Sequence, residues 1–413
     1  MAKKTISEMR NEGNGMVDAG REARLAAIQM LIPLGLKAVS EELQSEVEAL
    51  AGPRYSRGGL FGRWGFNEGS VFLGDQKVPV SVPRVRRKDT KESVPLSAYH
   101  RLQSSGLIEE ASLRRVIRGV STGNYEGAAL CVPETFGIKR DSVSRRWIRA
   151  SSKKLRELQE RSLKDLDVVA MAVDGKTFGD NEVIIAVGIT LEGQKTILGM
   201  IEASTERYEV CRDFLNGLVR RGLSIEQDIF VAIDGGKGLR KAVDVVFGEK
   251  GHVQRCQWHK RENVVGYLGK ERAAEWRGKL QAAYEETSYK GAKDRLLALR
   301  PELKALNASA VRSLDEGFEE TLTLHRLGLF KELGFSLKTT NIVENVNGLL
   351  QQRTGRVTRW KNSDQRQRWV ATALLEIEPG LRVIKGHKHL QALRLAMRAA
   401  RMKVQTTETQ AAA

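Results

Sequence analysis

The sequence predicts an α/β protein, with a sheet-bearing domain opening near residue 163 behind a helical region that carries a β-hairpin. Three observations carry this expectation. The runs VVAMAV (168–173) and IFVAI (229–233) are short, continuous and apolar, as in strands buried on both faces, and each stops at an Asp-Gly. Between them lie two further strand-like runs and one amphipathic helix. From about 260 to 335 the chain is charged and helical in pattern, with no strand signal.

The elements follow in order. Residues 17–50 read as one or two helices, since Leu25, Ile28, Leu31, Leu34, Leu43, Val47 and Leu50 recur at helical intervals and Pro33 marks a break. The glycine-rich stretch 52–69 reads as loop. Residues 69–88 alternate Val71, Leu73, Val78, Val80 and Val82 about a Gly-Asp turn, which is a β-hairpin with a basic exit. Three helices are expected over 108–119, 125–131 and 141–158. The third carries Arg145, Arg146, Arg149, Lys153, Lys154 and Arg156, with Val143, Trp147 and Ile148 to pack inward. Two readings stay open here: a helix-turn-helix whose last helix enters the major groove, or a helical linker with solvated arginines. Further on, 182–203 is two strands about a Glu-Gly turn, and 208–221 is a helix with Phe214, Leu215 and Leu218 inward. A helix starts near Leu239, and 252–259 opens with a short strand. Residues 341–353 form a helix followed by a basic, tryptophan-containing stretch to 369. A basic amphipathic helix over 387–404 buries Leu390, Leu393 and Met397, and the last ten residues are expected to be disordered.

Composition narrows the function classes. With 413 residues, 41% hydrophobic and 29% charged, the chain suits several globular domains. Lys plus Arg number 68 against 51 acids, a formal charge of +17 that favours a polyanionic partner. The charge is uneven: 24 bases to 17 acids over 1–150, 31 to 30 over 151–344, and 13 to 4 over 345–413. Cys131, Cys211 and Cys256 are too few and scattered for a disulfide framework, so a reducing compartment is expected. The start is polar, without a signal-peptide core, and no apolar stretch approaches a membrane span. The expectation is a soluble, intracellular, basic protein, against membrane, secreted and disulfide-scaffold classes.

The two Asp-Gly stops carry the chemistry. If the runs before them lie side by side and parallel, Asp174 and Asp234 meet at the carboxyl edge of the sheet, where α/β proteins bind ligands. Two carboxylates so placed raise each other's pKa, and a divalent cation removes the conflict. Oxygen ligands favour Mg²⁺ or Mn²⁺. The other reading is that each aspartate merely opens a turn. The β-β-β-α-β order over 168–234 is that of a ribonuclease H-like domain, whose site needs a third carboxylate from a later helix. Glu344 is the candidate. Asn341 can cap that helix with Glu344 three residues on, while Ile342, Val346 and Leu349 face the core. The alternative is that Glu344 only completes the cap.

These residues carry a resemblance. VDGK with Asp174, AIDGGKGL with Asp234, CQWHK at 256–260 and TTNIVENVNG with Glu344 resemble the IS256 (Mutator-like) family of DDE transposases, over most of the chain. ALAGPRYSR (49–57), VPRVR (82–86) and the helix-turn-helix-like stretch resemble that family's amino-terminal region. The resemblance implies a ribonuclease H-like catalytic domain with an all-helical insertion before the glutamate helix, preceded by a helical and β-hairpin DNA-binding region with a helix-turn-helix. That insertion accounts for the 110 residues separating Asp234 from Glu344. The domains expected are 1–100 (helical and hairpin), 101–162 (helix-turn-helix-like), 163–259 (catalytic core, first part), 260–336 (insertion), 337–386 (core, second part) and 387–413 (basic helix and tail).

By the same resemblance Asp174, Asp234 and Glu344 are catalytic and hold two Mg²⁺ (or Mn²⁺) ions at a DNA end. One ion helps generate a nucleophile from water or a 3′-OH, and the other stabilises the leaving oxygen. Water attack nicks the element's end, and the freed 3′-OH attacks a target phosphodiester. The partners implied are double-stranded DNA, as terminal inverted repeats and as target, and a second copy of the chain when two ends are paired. The place implied is the bacterial cytoplasm, at the nucleoid when DNA is bound. Cys256, Trp258 and His259 match a family signature; two ligands with no second pair do not suggest zinc, and Trp258 is placed to stack on a base. Arg353, Arg356, Arg359, Trp360, Lys361, Arg366, Arg368 and Trp369 crowd after the glutamate helix, as phosphate contacts or as a solvated face. DNA contacts are thus expected at Arg145, Arg146, Arg149, Lys153, Arg353, Arg356, Arg359 and Lys361. Two other functions fit the same residues: a ribonuclease H-like nuclease or resolvase without strand transfer, and a non-catalytic DNA-binding protein derived from a transposase.

Overall fold

Five strands between residues 168 and 255 form one mixed sheet, and three strands between 61 and 94 form another. The computed structural model describes residues 34–56, 58–73, 76–103, 113, 116–118, 140–203, 207–357 and 359–412. The chain divides into two units, Met1–Ala150 and Ser151–Ala413.

In the first unit, a helix over 34–51 packs Val39, Leu43 and Val47 against Val71, Val82 and Val85 of an antiparallel sheet. Its strands are β1 (Phe61–Leu73), β2 (Gln76–Arg87) and β3 (Ser93–Val94), in that order. The hairpin is longer than its alternation suggests. β1 begins at Phe61, inside the stretch read as loop, because Gly62, Gly65 and Gly69 hide the period, and a bulge between Arg63 and Phe66 shifts it. The predicted helices over 108–119 and 125–131 lie outside the described residues apart from Leu113 and 116–118. The third is present as Arg140–Glu160. It buries Val143 and Trp147, but Ile148 is exposed, contrary to expectation.

The second unit holds β4 (Val168–Phe178), β5 (Asn181–Thr190), β6 (Lys195–Ala203), β7 (Ile229–Ile233) and β8 (Gly251–Arg255). Their order is β6-β5-β4-β7-β8, with β4, β5 and β6 antiparallel in turn and β4, β7 and β8 parallel. The helices Tyr208–Arg220 and Lys237–Phe247 cover one face, setting Phe214, Leu215, Leu239 and Val243 on Met171, Val173, Val231 and Ile233. Residues of the other parity, such as Ala170, Ala172 and Val187, are equally buried. The later helices Asn341–Thr354, Ser363–Ile377 and Leu390–Ala412 also contact these strands. Burial on both faces is why the strands read as unbroken apolar runs.

Residues 257–337 are helical throughout, as predicted, with a core of their own around Trp276, Leu280, Tyr284, Leu296 and Leu303. They are fastened to the free edge of β8, which covers its unpaired backbone groups. The Gln254 amide donates to Thr321 O (2.8 Å) and accepts from Leu324 N (2.9 Å), and the Thr323 hydroxyl donates to Val253 O (2.6 Å). At the other end Leu390, Leu393 and Met397 are buried as expected. The helix continues to Ala412 where disorder was predicted, because Arg394 and Arg401 pin it to Asp167 and Asp228, and Gln405 donates to Glu249 Oε2 (2.6 Å). Among the described residues no helix is long and apolar enough to cross a membrane.

Candidate active site

β4 and β7 are parallel neighbours with Val173 opposite Ile233, so Asp174 and Asp234 follow side by side. β7 ends there, at the carboxyl edge where ligands bind in such sheets. β4 does not end. Asp174 lies within it, paired with Ile185 of β5, and the strand runs on to Phe178. The two Asp-Gly steps therefore differ. Asp234 does open a turn, its Oδ1 accepting from Gly236 N (2.9 Å), whereas Asp174-Gly175 is strand.

Both glycines lie under a charged side chain, and Gly235 also needs its backbone freedom. A Cβ on Gly175 would strike the Glu182 carboxylate, which lies across it from β5. Gly235 has φ +111°, and a Cβ there would strike the Arg255 guanidinium. That guanidinium is buried and donates to Gly235 O (2.8 Å) and Glu316 O (3.0 Å), fixing the loop that carries Asp234.

Glu344 sits in the first turn of Asn341–Thr354. The expected cap does not form: Asn341 is inside the helix and exposed, and Thr340 occupies the cap position. Glu344 is instead held by Thr340, whose hydroxyl donates to Glu344 Oε1 (3.1 Å) and lies 3.4 Å from His259 Nδ1. Thr340 N donates to Cys256 Sγ (3.4 Å), Cys256 N to Ile233 O (2.7 Å) and Gln257 N to Lys338 O (3.1 Å). Cys256 thus ties the end of the Asp234 strand to the start of the glutamate helix. Ile342, Val343, Val346 and Leu350 anchor that helix, while Leu349, expected in the core, is only half-buried.

The electrostatics bind these groups together. Burial, and then repulsion from Asp234 and Glu344, push the Asp174 carboxyl up to about 7 against the pull of His259. His259 is raised to about 9, first by its hydrogen bond to Cys256 and further by Asp174 and Glu344. Burial works to raise the Cys256 thiol, but its hydrogen bonds with His259 outweigh this and lower it. Sequence reasoning missed two members: Thr340, and Glu182, which burial and Asp234 raise. The one available signal for Glu182 was an acid opening the strand that folds back over Asp174-Gly175.

Carboxylates from Asp174, Asp234 and Glu344 suit a hard divalent cation, which would relieve the buried, repelled Asp174. Among the described residues, the group of three whose ligand atoms lie within 4.8 Å of one another is Cys256, His259 and Glu344; Asp174 and Asp234 stand outside it. Its sulfur is already engaged by Thr340 and His259, so these two act on Glu344 as its surroundings.

The basic candidates separate. Arg145, Arg149 and Lys153 are exposed on their helix, while Arg146 lies 4.7 Å over the Phe72 ring and packs there. Arg356, Arg359 and Lys361 are exposed and Arg353 is half-buried. Trp360 meets Phe178 edge-on (centroids 5.7 Å) and rests against Gly179, which brings its neighbours to the β4–β5 turn. Arg366 and Arg368 are no phosphate contacts: both are buried, Arg366 on Glu202 (2.8 Å) and Arg368 on Asp364 (2.8 Å) and Ser151 (3.0 Å). Trp258 is exposed, its ring 4.8 Å from that of His259.

Comparison with known proteins bears on this arrangement. The family model described as "Transposase, Mutator family" matches residues 23–379. The chain is 26% identical over 330 residues to the transposase for insertion sequence element IS256 in transposon Tn4001 of Staphylococcus aureus, covering 76% of this chain and 80% of that protein. It is 26% identical over 379 residues to the transposase for element ISRM5 of Rhizobium meliloti, covering 86% and 92%. Against the transposase for element IS905 of Lactococcus lactis the identity is 24% over 351 residues, covering 81% and 85%.

Proposed function

The chain belongs to the Mutator family of transposases, and from that premise we propose that it is a DDE enzyme whose Asp174, Asp234 and Glu344 carry Mg²⁺-dependent cleavage and joining of DNA. The observation that carries the reading is electrostatic. Asp174, on a buried strand, is repelled by both Asp234 from the neighbouring strand and Glu344 from a helix 110 residues further on. A fold gains no stability from such a meeting, and a cation gives it a use. The strand order, three antiparallel strands extended by two parallel ones, supports a ribonuclease H-like core, and the helices of 260–336 support an insertion within it.

Bound by these carboxylates, two divalent ions would supply Lewis acidity that activates a water or 3′-OH and offsets charge on the leaving oxygen. The chain's own groups do the positioning. Arg255 holds the Asp234 loop, and the Thr340 hydroxyl fixes one oxygen of Glu344. His259, protonated at neutral pH, offsets the negative charge that gathers where acids and phosphate meet. Arg356, Arg359 and Lys361 beside the β4–β5 turn, with Arg353, and Arg145, Arg149 and Lys153 on their helix, contact phosphates; Trp258 stacks on a base near the reacting strand. The substrates are the element's terminal inverted repeats and a target duplex, and pairing two ends calls for a dimer or larger assembly.

A labelled oligonucleotide with a terminal-repeat 3′-OH, incubated with plasmid, Mg²⁺ and the full chain, tests this. Joined product is expected. Cleavage without joining would indicate a nuclease or resolvase, and binding without either a DNA-binding protein derived from a transposase.

A further inference from the structure

We propose that Cys256, His259 and Glu344 form a Zn²⁺ site, and that a zinc ion bound there stops catalysis by drawing Glu344 away from Asp174 and Asp234. The metal site stands on its own geometry, and its inhibitory effect rests on the DDE reading of Glu344.

Two helix starts build the group. Cys256 occupies the cap position of the helix Gln257–Val265, and His259 follows three residues on in its first turn, so the two lie on one side of it. Glu344 reaches them from the first turn of Asn341–Thr354. One ligand atom of each lies within 4.8 Å of the other two. Bonds of about 2.0–2.3 Å to a tetrahedral ion set ligand atoms roughly 3.5 Å apart, so small side-chain rotations close the set. Cys256 is fully buried and forms the floor, while half-buried His259 and Glu344 leave an approach from solvent.

The donors are positioned by one residue. Thr340 N donates to Cys256 Sγ (3.4 Å), and the Thr340 hydroxyl donates to Glu344 Oε1 (3.1 Å) and lies 3.4 Å from His259 Nδ1. A neighbour that orients every ligand is what metal sites draw on for affinity. The C-x2-H pair alone did not suggest zinc, because its third ligand comes from a distant helix that only the fold brings near.

The donor set chooses the ion. Thiolate and imidazole favour Zn²⁺, whereas Mg²⁺ takes oxygen ligands and keeps several waters. Three protein ligands leave the fourth position to water. Binding displaces the thiol proton and the imidazolium proton to solvent. Asp174 and Asp234 stand outside the group, so Glu344 is the one residue the two sites share. Held by zinc, its carboxylate is lost to the Mg²⁺ ions.

Cobalt reads the site without turnover. The untagged full chain, free of DNA and of thiol reductants, should take up one equivalent of Co²⁺ with a sulfur-to-metal charge-transfer band. Zn²⁺ should displace it, and excess Mg²⁺ should not. Cys256→Ser should lose the band. Glu344→Gln should keep it but bind Co²⁺ at least tenfold more weakly, since even the loss of a group behind a ligand costs about ten- to a hundredfold. Circular dichroism checks folding, and should Cys256→Ser not fold, Glu344→Gln carries the test. In the joining assay one equivalent of Zn²⁺ should stop the parent in Mg²⁺ with DNA still bound, and a chelator should restore it. Cys256→Ser, measured against its own zinc-free rate, should need at least tenfold more Zn²⁺. Uptake of Co²⁺ without the sulfur band, or with an affinity and band unaltered in both variants, overturns the site. Weak uptake of several equivalents overturns it as adventitious binding only. A sulfur-bound ion that leaves joining at the zinc-free rate overturns the inhibition. If the zinc-free parent joins nothing in Mg²⁺, the DDE reading falls, while the cobalt spectra still decide the metal site.

Discussion

Asp174 is buried beside two other acids, and its carboxyl is held near 7 because burial and repulsion both favour the proton. The pH dependence follows in sign. A carboxyl raised from about 3.8 binds its proton more tightly folded than unfolded, so the metal-free protein loses stability as pH rises from about 4 toward 7. A tenfold change in proton affinity corresponds to about 1.4 kcal/mol. Asp174→Asn removes the loss, and its melting temperature should pull ahead of the parent's from pH 4 to about 5.5, below the ordinary histidine value of 6.5, so that His259 does not titrate in the window. Mg²⁺ should close the gap by stabilising the parent, and a gap independent of pH and metal would count against the arrangement. A second residue-scale prediction concerns Thr340. Thr340→Val removes the donor to Glu344 and should slow joining about tenfold with DNA affinity unchanged, while Thr340→Ser restores the rate. Asp234 was legible because β7 ends before it, and Asp174 because the apolar run stops there although the strand continues to Phe178. Thr340 and Glu182 were not, since each acts through a contact made only when distant segments meet.

At the scale of elements, alternation and apolar runs located the strands because burial leaves a period-two or unbroken mark on sequence. They failed where glycine carries the ladder, as at the start of β1, and where an ion pair holds a helix, as beyond residue 403. The stretch after the glutamate helix shows the same limit. Arg359 and Lys361 look like Arg366 and Arg368 in sequence, yet the first two are exposed and the last two anchor Ser363–Ile377. Side chains of Arg366 and Glu202 are only 10% and 8% exposed, so Arg366→Ala strands a buried charge. It should cost about 3 kcal/mol in unfolding experiments. Lys361→Ala should leave stability unchanged and weaken DNA binding at low salt. The opposite pattern of effects would contradict this division between anchoring and DNA-facing bases.

For the whole molecule, composition gave a charge and the fold gives it an arrangement. The excess of 7 bases over residues 1–150 and of 9 over 345–413 flanks, in sequence, a nearly neutral 151–344 that contains Asp174, Asp234 and Glu344. Dividing the chain this way was legible from residue counts. That Asp174, Asp234 and Glu344 converge was only inferable, since a helical stretch of some eighty residues lies between the second and third. The measurement that tests the convergence most directly is strand joining in Mg²⁺ by Asp174→Asn, Asp234→Asn and Glu344→Gln, with terminal-repeat binding followed in the same reactions. Each variant is expected to bind DNA as the parent does and to join none of it. Joining at the parental rate by any one of the three would remove that residue from the site.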